Sequence, residues 1–436
     1  MGNRATLSCV NVNVMKEMAL IPRTRPPAGR PAGGARGPLN VLTTAATLAA
    51  ALAACCGFAP APGPVGTPSA RATGTSLASC VGRAPARAGA GQAPALAGVQ
   101  FDGPSLGWVV GDRRILATSD GGRTWARQYR GPADLGGVDF IDSQHGWAAG
   151  RDTLLRTTDG GGTWTRVAEP CQGGLLAVHF ASPSLGYAVM VSSRDQAATG
   201  GLATSATGGS LVRSTDGGLT WAVVESAPRD PQSACFANAS DGYLGTPGRI
   251  WRTTDGGQNW GLALAEPRAA AGGPGRARDT PEIECAGAGA AWVLFLGQGA
   301  AMGNAPYLAY TSRNGREWHA LFEDQYTESA LRPGLRLPEG PGSYPGPFSA
   351  IGPGAAAFVG FTPPDGDGAA PLELVSGGGR TLAKVGDVSA VNEPFAAAFL
   401  SPARGWVVGE NLRTGTCSIE ATADAGRTWA TQYTTG

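Results

Sequence analysis

Charged side chains are sparse in this 436-residue sequence, at 15% of all residues, and histidine occurs only three times. No pair of its eight cysteines has C-x-x-C spacing, which argues against a zinc site. Beyond the amino terminus, no apolar stripe recurs with the 3.6-residue period of a helix. The sequence therefore predicts no metal site, no cofactor and no long helices.

What the sequence has in abundance is glycine and proline, with 68 and 33 residues, together with 11 tryptophans. Glycine and proline punctuate short apolar runs along most of the chain. This pattern is typical of short strands joined by tight turns. An all-β fold is the expectation.

The first 54 residues are expected to be a targeting segment rather than part of the fold. A basic stretch with four arginines precedes an apolar, alanine-rich run at 38–54. That run ends in Leu52-Ala53-Ala54-Cys55, which resembles a bacterial lipobox with Cys55 as the lipidated residue. An ordinary secretory signal cleaved near Ala54 and an uncleaved membrane anchor are the alternatives.

Residues 55–97 are predicted to be a disordered tether. The segment is rich in alanine, glycine and proline, and 57–97 contains no acid, so it cannot bury enough apolar surface to fold alone. The chain after residue 54 holds 28 bases and 32 acids, a net charge of about −4. Nucleic-acid binding needs a net basic surface and is not expected. We expect an exported lipoprotein on the outer face of the bacterial cytoplasmic membrane.

A nine-residue motif recurs along the rest of the chain. Its seven copies are ATSDGGRTW (117–125), RTTDGGGTW (156–164), RSTDGGLTW (213–221), RTTDGGQNW (252–260), YTSRNGREW (310–318), LVSGGGRTL (374–382) and ATADAGRTW (421–429). Aligned on the tryptophan, the fifth copy has Arg313 in the aspartate place, and the sixth has Gly377 there and Leu382 for the tryptophan.

Most copies follow a glycine–aromatic strand such as GWVVG and, before it, a short apolar strand such as GVQF. One unit is thus a four-stranded antiparallel meander of about 40 residues, the size of a propeller blade. The seven units lie near 98–129, 137–168, 176–226, 233–265, 282–322, 347–385 and 394–433. We predict a seven-bladed β-propeller over 98–436, with ring closure either blade to blade or through a strand from 77–97.

The repeated S/T-x-D-x-G-x-T-W motif resembles the Asp-box, or BNR, repeat of sialidases, sortilin-type receptors and some glucanases. With G-W-x-V-G before it, the unit looks most like the photosystem II assembly factor family and its non-photosynthetic bacterial relatives. The resemblance covers about 98–433 and implies a seven-bladed propeller. The box identifies a fold better than a function, because unrelated activities share it.

The box residues are predicted to be structural. The aspartates are expected to accept backbone N–H bonds within the turn, and the tryptophans to pack between blades. The aspartates are Asp120, Asp159, Asp216, Asp255 and Asp424. The tryptophans are Trp125, Trp164, Trp221, Trp260, Trp318 and Trp429.

Function is expected on the opposite face, where the loops between second and third strands lie. Arginines recur in these loops: Arg113, Arg114, Arg151, Arg194, Arg249 and Arg413. Arginine prefers carboxylate or phosphate partners. The photosystem relatives are known for a basic patch that grips a partner protein, and the resemblance implies that these arginines are its counterpart. Alternatively, each arginine solvates its loop or pairs with a neighbour such as Asp112 or Asp152.

A non-catalytic scaffold that binds a membrane or exported protein is the favoured function. The alternative is a glycan-active enzyme, of sialidase or glucanase type, or a glycan-binding module. No R-I-P segment of a sialidase occurs in 98–115, and glucanase chemistry would need two facing carboxylates. The acids that could face the same mouth are Asp112, Asp152, Asp195, Asp230, Asp279 and Glu410, but no spacing selects a pair.

Overall fold

The computed structural model describes residues 96–150, 153–167, 175–190, 209–266, 280–297, 307–323, 337–342, 344–361 and 368–435. They all belong to the larger of the two units into which the chain divides. Their 28 strands form seven four-stranded antiparallel sheets, so the predicted seven-bladed propeller is confirmed. Nowhere in these ranges is there a helix long and apolar enough to span a membrane.

Each blade is a continuous meander. Blade one consists of β1 (Gly98–Asp102), β2 (Leu106–Gly111), β3 (Arg114–Thr118) and β4 (Ala126–Arg130), and blade two of β5 (Leu135–Phe140), β6 (Gly146–Gly150), β7 (Thr153–Thr157) and β8 (Thr165–Val167). Blade three consists of β9 (Leu175–Phe180), β10 (Gly186–Met190), β11 (Ser210–Ser214) and β12 (Ala222–Val223), and blade four of β13 (Ser233–Phe236), β14 (Gly242–Thr246), β15 (Arg249–Thr253) and β16 (Gly261–Ala265). Blade five consists of β17 (Thr280–Cys285), β18 (Ala291–Leu296), β19 (Tyr307–Ser312) and β20 (His319–Glu323), and blade six of β21 (Tyr344–Gly352), β22 (Ala355–Phe361), β23 (Ala370–Ser376) and β24 (Thr381–Val388). Blade seven consists of β25 (Glu393–Ser401), β26 (Arg404–Asn411), β27 (Thr416–Thr422) and β28 (Ala430–Thr434).

The glycine of the glycine–aromatic signature has a steric cause. In blade two, Gly146 pairs with Phe140 of the first strand, and a Cβ at Gly146 would lie 2.5 Å from the Phe140 ring. Gly107 stands in the same relation to Phe101 in blade one. Only glycine leaves room for the ring over the neighbouring strand.

The core consists of seven apolar clusters, one between each pair of adjacent blades. In blades one, two, three and seven, the aromatic residue after the glycine stacks on the phenylalanine of the next blade, as Trp147 does on Phe180 at 3.5 Å between ring centroids. Phe101 of blade one stacks on Trp406 of blade seven at the same 3.5 Å. The described ring therefore closes by blade-to-blade packing, whereas residues 77–95, which hold most of the alternative strand, lie outside the described residues.

The first strands of neighbouring blades are joined by a set of side chains that we call the inner belt. Its contacts are Phe140 N to Gln100 Oε1 at 2.6 Å, Phe180 N to Asp139 Oδ2 at 2.6 Å, His179 Nε2 to Phe236 O at 2.6 Å, the Cys235–Cys285 disulfide, Ala350 N to Glu284 Oε2 at 2.6 Å, and Phe399 N to Ser349 Oγ at 3.0 Å. In blade seven the place belongs to Ala398, which pairs with Trp406 as Gln100 pairs with Trp108. A methyl group makes no hydrogen bond, so the belt is interrupted there.

Candidate functional site

The five aspartates of the regular boxes are engaged within their own turns. In blade one, Asp120 Oδ1 accepts the N–H of Thr124 at 2.9 Å, and Asp120 Oδ2 accepts the Thr124 hydroxyl at 2.7 Å. Thr118 Oγ1 donates to Asp120 Oδ1 at 2.8 Å and accepts the N–H of Gly122 at 2.8 Å. Because these donors stabilise the carboxylate, the pKa of Asp120 falls to about 2.

The other boxes repeat this network. The corresponding carboxylates are those of Asp159, Asp216, Asp255 and Asp424. Gly121 N also donates to Ser105 O at 2.9 Å, which ties the box to the turn between the first and second strands. These two kinds of turn share one end of the blades, which we call the box face. In the described part of the chain, no three His, Cys, Asp or Glu side chains gather as a metal site requires.

The fifth copy of the box differs from the prediction that Arg313 replaces the aspartate. Ser312 pairs with Ala291 as Thr253 pairs with Gly242 in blade four, so the turn is one residue shorter than the alignment on tryptophan implies. Asn314 takes the aspartate place. Its Oδ1 accepts the backbone N–H groups of Arg316 and Glu317, two and three residues further along the turn, at 2.9 Å each.

The turns between second and third strands lie at the opposite end, which we call the loop face. Asp112 and Arg113 form a two-residue turn with positive φ angles of 33° and 60°. Such turns match the twist of a hairpin. The Arg113 side chain is 45% exposed, and its Nε lies 3.5 Å from Asp112 and 3.9 Å from Asp134. Arg113 therefore projects from the loop face beside two acids.

Arg114, by contrast, is a structural residue. Its guanidinium donates to Asp112 and contacts Tyr433 of blade seven, so it joins the two blades where the ring closes. Burial raises the pKa of Asp112, but the guanidinium groups of Arg114 and Arg113 together outweigh burial and hold that pKa below its ordinary value. The predicted pairing of a loop arginine with Asp112 is present here.

The remaining predicted arginines divide into two groups. Arg249 in blade four and Arg413 in blade seven are exposed in their turns on the loop face. Arg151 and Arg194 lie outside the described residues. The loop face thus presents exposed arginines from blades one, four and seven, and blades seven and one are neighbours.

One cleft, of about 450 Å³, opens between blades three and four. One wall is the segment after β12 and the other is blade four. The lining residues are Ser226, Pro228, Arg229, Asp230, Thr246, Pro247, Arg249, Trp251 and Trp260. Sequence reasoning selected Arg249 and Asp230 separately but did not place them together.

The loop face also contains a pair of acids in blade seven. Glu410 lies directly opposite Glu393 in the β25–β26 hairpin. Burial raises the pKa of both carboxyls, and Glu410 raises that of Glu393 further. Sequence reasoning selected Glu410 but missed Glu393, although hairpin register would have paired them. Glu410 is only 2% exposed, whereas Glu393 is partly exposed. Asp152, Asp195 and Asp279 lie outside the described residues.

The comparisons with known proteins agree with this architecture. The family described as photosynthesis system II assembly factor YCF48 matches residues 91–174, so the resemblance stated from the sequence is confirmed over the first two blades. No curated protein matches the chain.

Solved structures of different activities are similar to this chain. YCF48 bound to a D1 peptide is 16% identical, with 72% of this chain and 90% of that chain covered and a TM-score of 0.45. A GH74 enzyme of Niastella koreensis is 13% identical, with 77% and 53% covered and a TM-score of 0.53. The tricorn protease is 11% identical, with 78% and 35% covered and a TM-score of 0.43. At such identities, the likeness to the GH74 enzyme shows the fold alone, and this chain spans about half of that enzyme.

Proposed function

We propose that this Asp-box propeller, similar in its first two blades to the photosystem II assembly factor family, is a non-catalytic binding or assembly scaffold. Its loop face grips a partner protein. The match to an assembly factor family supports a scaffold role. Exposed arginines from three blades on that face carry the proposal, because forked guanidinium groups suit carboxylates on a partner surface.

The place of action that we propose is outside the cytoplasm, with the chain held at the membrane through lipid on Cys55. The inner belt supports export, since the Cys235–Cys285 disulfide joins blades four and five and disulfides persist in oxidising compartments. Metabolic labelling with a palmitate analogue, compared between the native chain and Cys55→Ala, tests the anchor.

The scaffold role is tested by crosslinking in native membranes followed by affinity capture. The test variant changes Arg113, Arg249 and Arg413 to alanine. The matched control removes the same charge from the box face, where Arg123, Arg380 and Arg427 are also exposed. We expect one partner protein to be captured by the native chain and by the control but lost from the test variant. Equal capture by all three chains would refute the role of the loop face.

A glycan-active enzyme is the second candidate, and the facing acids Glu393 and Glu410 are the observation that favours it. Raised pKa values suit a general acid. Hydrolysis of β-glucan and sialoside substrates by the native chain, abolished in both Glu393→Gln and Glu410→Gln, would support this candidate. Absence of any hydrolysis would remove it.

A further inference from the structure

The cleft between blades three and four exists because one strand is short. β12 has only two residues, whereas the outermost strands of the other blades have three to eight. The chain then leaves the sheet and forms a separate wall, which is fixed to blade four by the Ser226 hydroxyl on Gly257 O. The opening is thus a feature of the backbone rather than of one rotamer.

The indole rings offer the cleft apolar surface rather than hydrogen bonds. Trp251 Nε1 donates to Thr246 Oγ1 at 3.0 Å, and Trp260 Nε1 donates to Gly257 O at 3.1 Å. Both N–H groups are therefore already satisfied. The cleft therefore offers a ligand the apolar surface of the indole rings, which suits a flat molecule that presents C–H groups.

The cationic groups of the cleft are two guanidiniums. Arg229 and Arg249 are exposed and stand on opposite walls, and no ion pair with either is present among the described residues. Asp230 is the carboxylate of the lining. Two forked donors against one acid favour an anionic ligand, and a carboxylate matches their geometry.

An extended peptide fits this cleft less well than a sugar. Strand addition needs a row of free backbone N–H groups, but Pro228 and Pro247 stand in the two walls and have none. A volume of about 450 Å³ lies in the range of small-ligand pockets. The cleft is therefore shaped for one or two rings.

We propose that this cleft binds a uronic acid residue of a polysaccharide. The carboxylate lies between Arg229 and Arg249, and the C–H face of the sugar ring packs on Trp251. The site goes beyond the scaffold role and shares only Arg249 with it. It gives the propeller a second ligand, of a different chemical class from a protein partner.

The experiment measures binding of defined oligosaccharides to the full chain by calorimetry and by tryptophan fluorescence. The probes are oligomers of galacturonate, glucuronate and mannuronate, each beside its methyl ester, which keeps the ring and removes the charge. We expect at least one acid form to bind the native chain. Its methyl ester should bind about tenfold or more weakly, and so should the acid form to Arg229→Gln or to Trp251→Ala. Thermal midpoints verify that the variants are folded.

The control variant Arg113→Ala/Arg413→Ala, which removes only loop-face arginines outside the cleft, should bind the sugar as the native chain does. Loss of partner capture in this control with intact sugar binding would separate the two sites. The proposal is overturned if no acid form binds, if the esters bind equally, or if Arg229→Gln has no effect. It is also overturned if an acidic peptide that binds outside the cleft displaces the sugar, because the sugar then does not occupy the cleft.

Discussion

The two faces of the propeller differ in how their polar groups are used. On the box face, each regular turn repeats one network in which the aspartate is fully engaged inside its own turn. On the loop face, turn lengths vary and arginines stand exposed at Arg113, Arg249 and Arg413. Repetition here accompanies structural roles, and irregularity accompanies side chains that are exposed at the surface.

Loss of one aromatic side chain near the box face should cause the largest effect. Trp147 is 1% exposed, stacks on Phe180 and donates to Gly217 O at 3.0 Å. We expect Trp147→Ala to lower the free energy of unfolding by about 3–5 kcal/mol. Trp251→Ala, in the half-buried wall of the cleft, should cost less than half as much. Urea unfolding measures both, and equal costs would contradict the contrast between the faces.

A smaller effect is expected when a threonine is replaced at either end of strand β7. Thr157 ends β7 on the box face, and its Oγ1 accepts the N–H of Gly161 at 2.8 Å. Thr157→Val leaves that buried donor unpaired, so we expect a loss of about 1–3 kcal/mol. Thr153 begins the same strand at the loop face and is equally buried. Thr153→Val should be close to neutral, and thermal unfolding compares the two.

Acid should weaken the box face selectively. The pKa of Asp159 is lowered to about 2 by hydrogen bonds from Thr163 and Thr157. A carboxyl with a lowered pKa stabilises the fold above its unfolded pKa of about 4 and loses that contribution as pH falls towards 2. Asp159→Asn should therefore melt below the native chain at pH 7, with a gap that narrows steadily as pH falls from 4 towards 2. A gap independent of pH would show that charge plays no part.

The smallest effect is expected on the loop face. Arg113 is 45% exposed, and its acid partners are 3.5 and 3.9 Å away. Exposed pairs of this kind contribute little, so Arg113→Ala should change the free energy of unfolding by less than about 0.5 kcal/mol. A larger loss, measured in urea, would make Arg113 a structural residue and weaken its use as a binding probe.

The repeat made the fold predictable, because each unit contains its own strands, turn and packing residues. Comparison among copies even exposed the degenerate turns, although the position of Asn314 required the strand register. The cleft was not predictable, since it depends on an irregular length, that of β12, and on side chains from two blades. Glu393 was missed for a related reason: it lies outside the repeated motif.

The interruption of the inner belt at Ala398 has a mechanical meaning. At six junctions a hydrogen bond or the disulfide links the innermost strands. At the seventh, the innermost strands are joined by apolar packing, and a hydrogen bond such as Gln432 Nε2 on Gly121 O at 3.1 Å lies farther out. When a closed ring of blades is stretched, it opens at the junction that lacks such a link. Pulling force would therefore part blades seven and one first, where the two ends of the ring meet.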